Sequence, residues 1–397
     1  SDGATAMFGY SKDEAVGKMR VSNFSPGEVV LQNLGTWLST AVKEGEWSGE
    51  TNFIRKNGEM FGARIRITPT FKGGVQIGYC GVTEELDKPV HVDIRGATKM
   101  LRWLVITRAP FLAAAITPAF VGVAYAAGIM GVEINWLYAT LGILGVALLH
   151  LASNVFNDYF DYTSGTDQAN TAYFTQYSGG SRSIEMRLID LKGTRNTALL
   201  MAAIAFGIGL YLTAAVGTGI LVMGFIGLAC GYFYTAPPLR LVARHGLGEI
   251  IIGLAFGPLI TMGMYYVVTG LYSWEAFLFG IPAGLLTTNI LVINQVPDTP
   301  GDASTGKNHL LVTFGIDATP VVYGIFWGIS TAVTFWLAMN YAKPYLYVPA
   351  AASLVGGIQI IAYMRRHLHE RSLVRANVNT IKLQLLVTML FAIALVL

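Results

Sequence analysis

The stretch Asn154-Val155-Phe156-Asn157-Asp158-Tyr159-Phe160-Asp161, followed by Gly165-Thr166-Asp167, closes an apolar run that opens near position 136. A helix needs about 20 apolar residues to cross a bilayer's hydrocarbon core. His150, Asn154, Asn157 and Asp161 stand at i, i+4, i+7 and i+11, which is one helix face. Acids and amides are costly against lipid, so this face is expected to point into a bundle of helices.

A second segment has the same build. Asn294-Gln295-Val296-Pro297-Asp298, then Asp302 and Gly306-Lys307, ends another long apolar run, and Asn294 and Asp298 repeat the i, i+4 step. Around these two segments the composition is that of a membrane protein. Apolar residues make up 53% of the chain and charged residues 13%, half the charged share of an ordinary soluble domain. The shortage begins after Arg108. A polar front part is therefore expected to precede an embedded remainder. Cys80 and Cys230 are the only cysteines and suggest neither a disulfide framework nor a zinc site. No secretory signal pattern opens the sequence, so the first span is expected to direct insertion.

About nine spans are predicted, near 110–130, 136–157, 197–217, 219–235, 247–270, 274–295, 319–340, 345–364 and 379–397. Lys and Arg orient them. Lys99, Arg102 and Arg108 precede the first span; Arg182, Arg187, Lys192 and Arg195 follow the second; Arg240 and Arg244 the fourth; Lys307 the sixth; Arg365, Arg366, Arg371 and Arg375 the eighth. The alternate loops hold only Lys343. The expectation is a multi-pass protein of the cell (inner) membrane with its N-terminal part in the cytosol.

That topology puts both acidic segments on one aqueous side, with Arg182, Arg240 and Lys307. Carboxylates crowded at one mouth repel one another unless cations intervene. Hard oxygen ligands suit Mg²⁺, which usually binds a few carboxylates plus substrate phosphates, and the basic residues could clamp phosphate oxygens. A lone Asp beside a span is commonly an interfacial charge; two clusters with helical spacing are not explained that way. His150 reads equally as a packed histidine or a pocket residue. Glu249 reads as a cavity acid or an interfacial residue, the second being slightly favoured.

These residues carry a resemblance. Asn157-Asp158-Tyr159-Phe160-Asp161 with Asp167, and the Asn294/Asp298/Asp302 set, resemble the paired motifs of the UbiA superfamily of intramembrane aromatic prenyltransferases. The likeness spans roughly 100–397 and includes Arg108-Ala109-Pro110, Tyr234-Thr235-Ala236-Pro237-Pro238 and the tract from Asp302 to Leu310. The spacing that places Gly165 where many relatives have the third Asp, with Ser178-Gly179-Gly180-Ser181-Arg182, is similar to the 1,4-dihydroxy-2-naphthoate polyprenyltransferase branch of menaquinone synthesis. Tyr234–Pro238 also resembles chlorophyll synthases.

The resemblance implies an all-α transmembrane bundle of about nine helices around a central cavity, over 108–397. It implies a transferase of alkyl groups other than methyl, moving a polyprenyl group from its diphosphate to an aromatic acceptor. Asp158, Asp161, Asp167, Asp298 and Asp302 would hold Mg²⁺, with Asp158, Asp161 and Asp298 catalytic. Asn154, Asn157, Asn294, Lys307, Arg182 and Arg240 would bind diphosphate. His150, Tyr159, Tyr162 and Tyr234 would line the substrate pocket, where aromatic faces can steady an allylic cation. The partners are then a polyprenyl diphosphate, an aromatic acceptor and the bilayer; no nucleic acid is expected. Two alternatives stay open: a relative with another acceptor, or a membrane sensor or transporter without catalysis.

Residues 1–87 read as a small α+β module, and 88–107 as a linker with an interfacial helix. Ala6 to Ser11 with Asp13-Glu14 and Gly17-Lys18, then Trp47-Ser48-Gly49-Glu50 and Arg55-Lys56-Asn57-Gly58-Glu59, resemble a PAS domain. The match lacks that fold's usual first two strands. Asn57-Gly58 signals a hairpin turn, and alternation over Ala63–Thr68 and Val75–Val82 suits half-buried strands. No cysteine or histidine stands where a flavin or haem would need one. The module is expected to serve interaction rather than ligand sensing, and every expected metal ligand lies beyond Asn154.

Overall fold

The computed structural model describes residues 1–174, 177–341 and 343–397. Two compact units divide the chain. One joins Ser1–Ile106 to Arg182–Leu191, the other Thr107–Ser181 to Lys192–Leu397.

In the first unit, strands β1 (Trp47–Ile54), β2 (Met60–Lys72) and β3 (Val75–Glu85) form an antiparallel sheet in the order β1-β2-β3. The Asn57-Gly58 turn forms as expected, with Gly58 at φ 88°, a conformation that suits a residue without Cβ. Alternation then sorts the side chains. Phe61, Ala63, Ile65 and Ile67 of β2 join Phe53 of β1 in a core closed by Trp37, Leu38 and Ala41 of helix α1 (Gly35–Glu44). Both expected strand tracts lie within β2 and β3, but the half-burial expected of Val75–Val82 is not found: Val75, Ile77, Tyr79 and Val82 are all exposed. The expected helix before the first span is α2 (Gly96–Ile106). Residues 182–191 join this unit although they lie far along the chain. The Met186 carbonyl oxygen comes so near Gly27 that a Cβ there would stand 2.1 Å from it, and Leu188 is buried.

The second unit is a helical bundle: α3 (Ala113–Gly128), α4 (Trp136–Thr163), α5 (Leu191–Ala215), α6 (Gly219–Thr235), α7 (Leu247–Thr269), α8 (Trp274–Ser304), α9 (Thr319–Asn340), α10 (Tyr347–His367) and α11 (Val374–Val396). Among the described residues, eight helices are long and apolar enough to cross a membrane. The remaining expected span is α6, whose 17 residues stand at the lower limit for about 30 Å of hydrocarbon.

Helix α8 is central: 72% of its apolar window is buried, against 17% for α5. Glycines let α7 approach it. A Cβ on Gly257 would lie 2.3 Å from the Gly280 oxygen, and one on Gly284 2.0 Å from the Gly253 oxygen. Small residues at such crossings are how helices pack where burial from water supplies no drive. Proline within α8 also shapes the site. Pro297 has no N–H for the Ile293 carbonyl. Asn377 of α11 donates to that carbonyl at 3.3 Å and to Asn294 Oδ1 at 2.8 Å, fixing the Asn294 amide.

Two expected span ends move. Helix α4 runs to Thr163 rather than 157, and α8 to Ser304 rather than 295. Asp158, Asp161, Asp298 and Asp302 thus ride on rigid helix rather than on loops.

Candidate active site

Helix α4 forms one wall of a cavity of about 340 Å³. Gly142, Val146, His150, Asn154, Asn157 and Asp161 all line it, each three or four residues from the next, and Leu149 lines it beside His150. Nineteen steps at 1.5 Å make that wall about 28 Å long. Its far end is apolar, with Leu212, Ile220, Met264 and Val267; its mouth is polar, with Asp161, Asp167, Asn294, Asp298, Asp302 and Lys307. The i, i+4 reading therefore places the expected residues on the inner face.

The two acidic segments meet at this mouth. Lys307 Nζ donates to Asp161 Oδ2 at 2.9 Å and lies 3.9 Å from Asp302 Oδ1. One ammonium thus bridges a carboxylate of α4 and one of α8. Burial alone would lower the Lys307 pKa, but the charges of Asp161 and Asp302 outweigh it and raise it above the ordinary lysine value. A loop makes a second bridge. The Gly179 N–H donates to Asp298 Oδ2 at 2.8 Å, and the Ser181 N–H donates to Asp158 Oδ1 at 3.1 Å. Asn170 Nδ2 adds a bond to Asp298 Oδ1 at 2.6 Å. Gly180, at φ 74°, sits between these amides, where a Cβ would stand 2.9 Å from Asp158 Oδ1 and 3.6 Å from Asp167 Oδ1.

The carboxylates fit a hard cation. Among the described residues, Asp158 Oδ2 is buried without a hydrogen-bond partner, a costly state for a charged oxygen. Among the described residues, no three His, Cys, Asp or Glu side chains are placed to chelate a metal by themselves. Mg²⁺ is usually bound through one or two carboxylates and completes its shell with waters and substrate phosphate oxygens.

Other expected residues take different places. Tyr234 lines the cavity, its ring packed near Gly248. Among the described residues, Tyr159, Tyr162 and Arg240 do not line it. Tyr159 and Tyr162 stand about 200° and 100° around α4 from Asp161, which turns them from the inner face. Arg182 belongs to the first unit and donates to Glu185 at 3.2 Å.

Several residues were not foreseen as site residues. Arg108 lines the cavity; its place before the first span reads equally as a topology charge. His309 is fully buried, its Nδ1 accepts from the N–H groups of Leu311 and Val312, and its Nε2 lies 3.2 Å from Asp302 Oδ2. With Nδ1 accepting, the network assigns the neutral ring's proton to Nε2, facing Asp302. The slightly favoured interfacial reading of Glu249 is corrected: it is 1% exposed, on the turn of α7 that faces α8.

His150 is a pocket residue. Asn154 Nδ2 donates to the Thr107 oxygen at 3.2 Å and lies 3.1 Å from His150 Nε2. That leaves the proton of a neutral His150 on Nδ1, which is buried without a partner among the described residues.

Comparison with known proteins agrees with this geometry. Residues 115–386 match the model of the UbiA prenyltransferase family, and the chain belongs to that family. It is a prenyltransferase. It is similar to 1,4-dihydroxy-2-naphthoate octaprenyltransferase of Bacillus subtilis (strain 168), 24% identical over 61% of this chain and 76% of the relative. It is also similar to 2-carboxy-1,4-naphthoquinone phytyltransferase of Synechocystis, 26% identical over 68% of this chain and 84% of that one. A solved UbiA homolog from Archaeoglobus fulgidus, bound to GPP and Mg²⁺, shares the fold. Its TM-score is 0.53, with 15% identity, 74% of this chain and 99% of that chain covered.

Proposed function

We propose that this prenyltransferase moves a polyprenyl group from polyprenyl diphosphate to 1,4-dihydroxy-2-naphthoate, with Mg²⁺, as a step of menaquinone synthesis. The observation that carries the reading is the joining of two carboxylate sets and one lysine at the mouth of a long apolar cavity. The naphthoate and naphthoquinone substrates named for the similar enzymes support the acceptor class. Asp158, Asp161, Asp167, Asp298 and Asp302 would hold the metal. Bound there, Mg²⁺ would neutralise the diphosphate and ease its departure.

The chain's own residues do the rest. Lys307 and the amides Asn154, Asn157 and Asn294 orient the diphosphate. The apolar wall from Leu149 to Gly142 takes the prenyl tail and excludes water from the allylic carbon. Tyr234 presents its ring to that carbon. Arg108 pairs with the acceptor carboxylate, and His150 Nδ1 donates to an acceptor oxygen.

The Lys/Arg alternation supports a cytosolic N-terminus in a cell membrane, with the mouth on the same side. The sheet and helices of residues 1–87 suit a PAS-like interaction module. Assay of the purified enzyme with Mg²⁺, geranylgeranyl diphosphate and a panel of aromatic acceptors tests the proposal. Prenylated naphthoate product supports it. Turnover only with another acceptor, or none with any, overturns it.

A further inference from the structure

Glu249 is an acid inside a membrane helix, and it neither faces water nor, among the described residues, lines the cavity. A charge in that position needs compensating donors. Glu249 Oε1 accepts from Gln295 Nε2 at 3.0 Å and from the Leu310 N–H at 3.1 Å. Gln295 is on α8, one turn before Asp298. Leu310 opens the short helix Leu310–Phe314, three residues after Lys307. One carboxylate oxygen on α7 therefore ties the helix that carries the second acidic set to the loop that carries the lysine.

The tie is the inner end of a longer seam. Ahead of α7, the His245 N–H donates to the Asn308 oxygen at 2.7 Å, and His245 Nδ1 lies 3.0 Å from Thr313 Oγ1. Gly246 comes close to Leu310. On the other side, the Lys307 N–H donates to the Asp302 oxygen at 2.9 Å. The loop 305–310 is thus held at both ends, and Lys307 projects from between them onto Asp161.

We propose that Glu249 is a positioning residue for Lys307. It anchors the loop to α7 and α8 so that the ammonium is presented to the donor's diphosphate. The inference rests on the reading of Lys307 as a diphosphate ligand. Losing the anchor leaves Lys307 charged but displaced, so the cost falls on donor binding and passes through that lysine.

The test is steady-state kinetics with Mg²⁺ and geranylgeranyl diphosphate on the full chain. Lys307→Met is expected to raise the donor KM about tenfold and Glu249→Leu about fivefold, both with unchanged acceptor KM. The double variant should match Lys307→Met alone, since residues acting as a unit are non-additive. Should Glu249→Leu fail to fold, Glu249→Asp and Glu249→Gln replace it. Asp is too short to reach Leu310 and should raise the donor KM; Gln keeps an oxygen there and should not. A double variant showing the product of the two single effects, equal KM rises for donor and acceptor, or Asp indistinguishable from wild type overturns the proposal. Lys307→Met with unchanged donor KM overturns the diphosphate reading instead. A shift in Lys307→Met without one in Glu249→Leu overturns this inference alone.

Discussion

Lys307 Nζ stands 2.9 Å from Asp161 Oδ2, across 146 residues of chain. The pair is mostly buried, with side-chain exposures of 12% and 10%. Buried ion pairs are expensive to half-remove, at roughly 3–5 kcal/mol for an abandoned charge. This one lies beside other carboxylates that a cation can serve, so its loss falls mainly on function. Asp161→Asn and Asp298→Asn should each lose at least about 10²-fold in turnover, near 2.7 kcal/mol of barrier, while staying folded and inserted. The double variant should be little worse than either single one. Near-normal rates in either single variant at saturating Mg²⁺ and substrate would sink the two-cluster mechanism.

Gly180 tests the loop that joins the clusters. Its φ of 74° and the 2.9 Å approach to Asp158 Oδ1 leave no room for a methyl group. Gly180→Ala is expected to cost about 1–2 kcal/mol from the left-handed backbone alone. It should also push Asp158 from the Ser181 N–H and raise the Mg²⁺ concentration for half-maximal turnover. An unchanged Mg²⁺ dependence in the folded variant would separate the loop from metal binding.

Excision of residues 1–87 should leave prenyl transfer in detergent largely intact, because the cavity-lining residues lie in 107–181 and 192–397. The segment 182–191 loses its partners in that variant, including the backbone at Gly27. Limited proteolysis should then cut there, beside Leu188, and not in the whole chain. Complete loss of turnover in a folded truncated protein would show that the front unit completes the site.

The front unit also carries a pH prediction. Lys56 Nζ donates to Glu14 Oε1 at 2.6 Å, and the Ser11 N–H donates to Glu14 Oε2 at 2.9 Å. These bonds, the Lys56 one foremost, lower the Glu14 pKa from 4.5 to about 2. A depressed carboxylate contributes stability that is present above its unfolded value and fades as pH falls through the folded one. That contribution should be constant above pH 4.5 and vanish toward pH 2. Titration of a labelled Glu14 carboxyl by NMR should return it toward 4.5 in Lys56→Met.

Much of this was legible from spacing. The i, i+4, i+7, i+11 face of α4 survives in three dimensions because it is local geometry, fixed once the helix forms. Asp298 and Asn294 were found for the same reason. The span ends were placed too early because polar residues at 158–163 and 296–304 look like loop when read by hydropathy. In the structure they continue their helices against protein rather than water. Glu249 and His309 escaped because their meaning lies in Leu310, Gln295 and Asp302, partners up to 61 residues away, which no periodicity encodes. Tyr159 and Tyr162 were named for their chemistry, and a helix angle decides that they do not line the cavity.

Helix α4 carries both the acids at the mouth and the apolar floor at Gly142, so it fixes their separation as a single rigid rod. An insertion of one residue between Gly142 and Asp161 would swing the acidic end by about 100°, off the cavity and away from Lys307. Viable insertions or deletions there must come near whole turns, so three, four or seven residues. In a diverging lineage the outward-facing side chains of this segment are expected to change while its inner face and its length are kept.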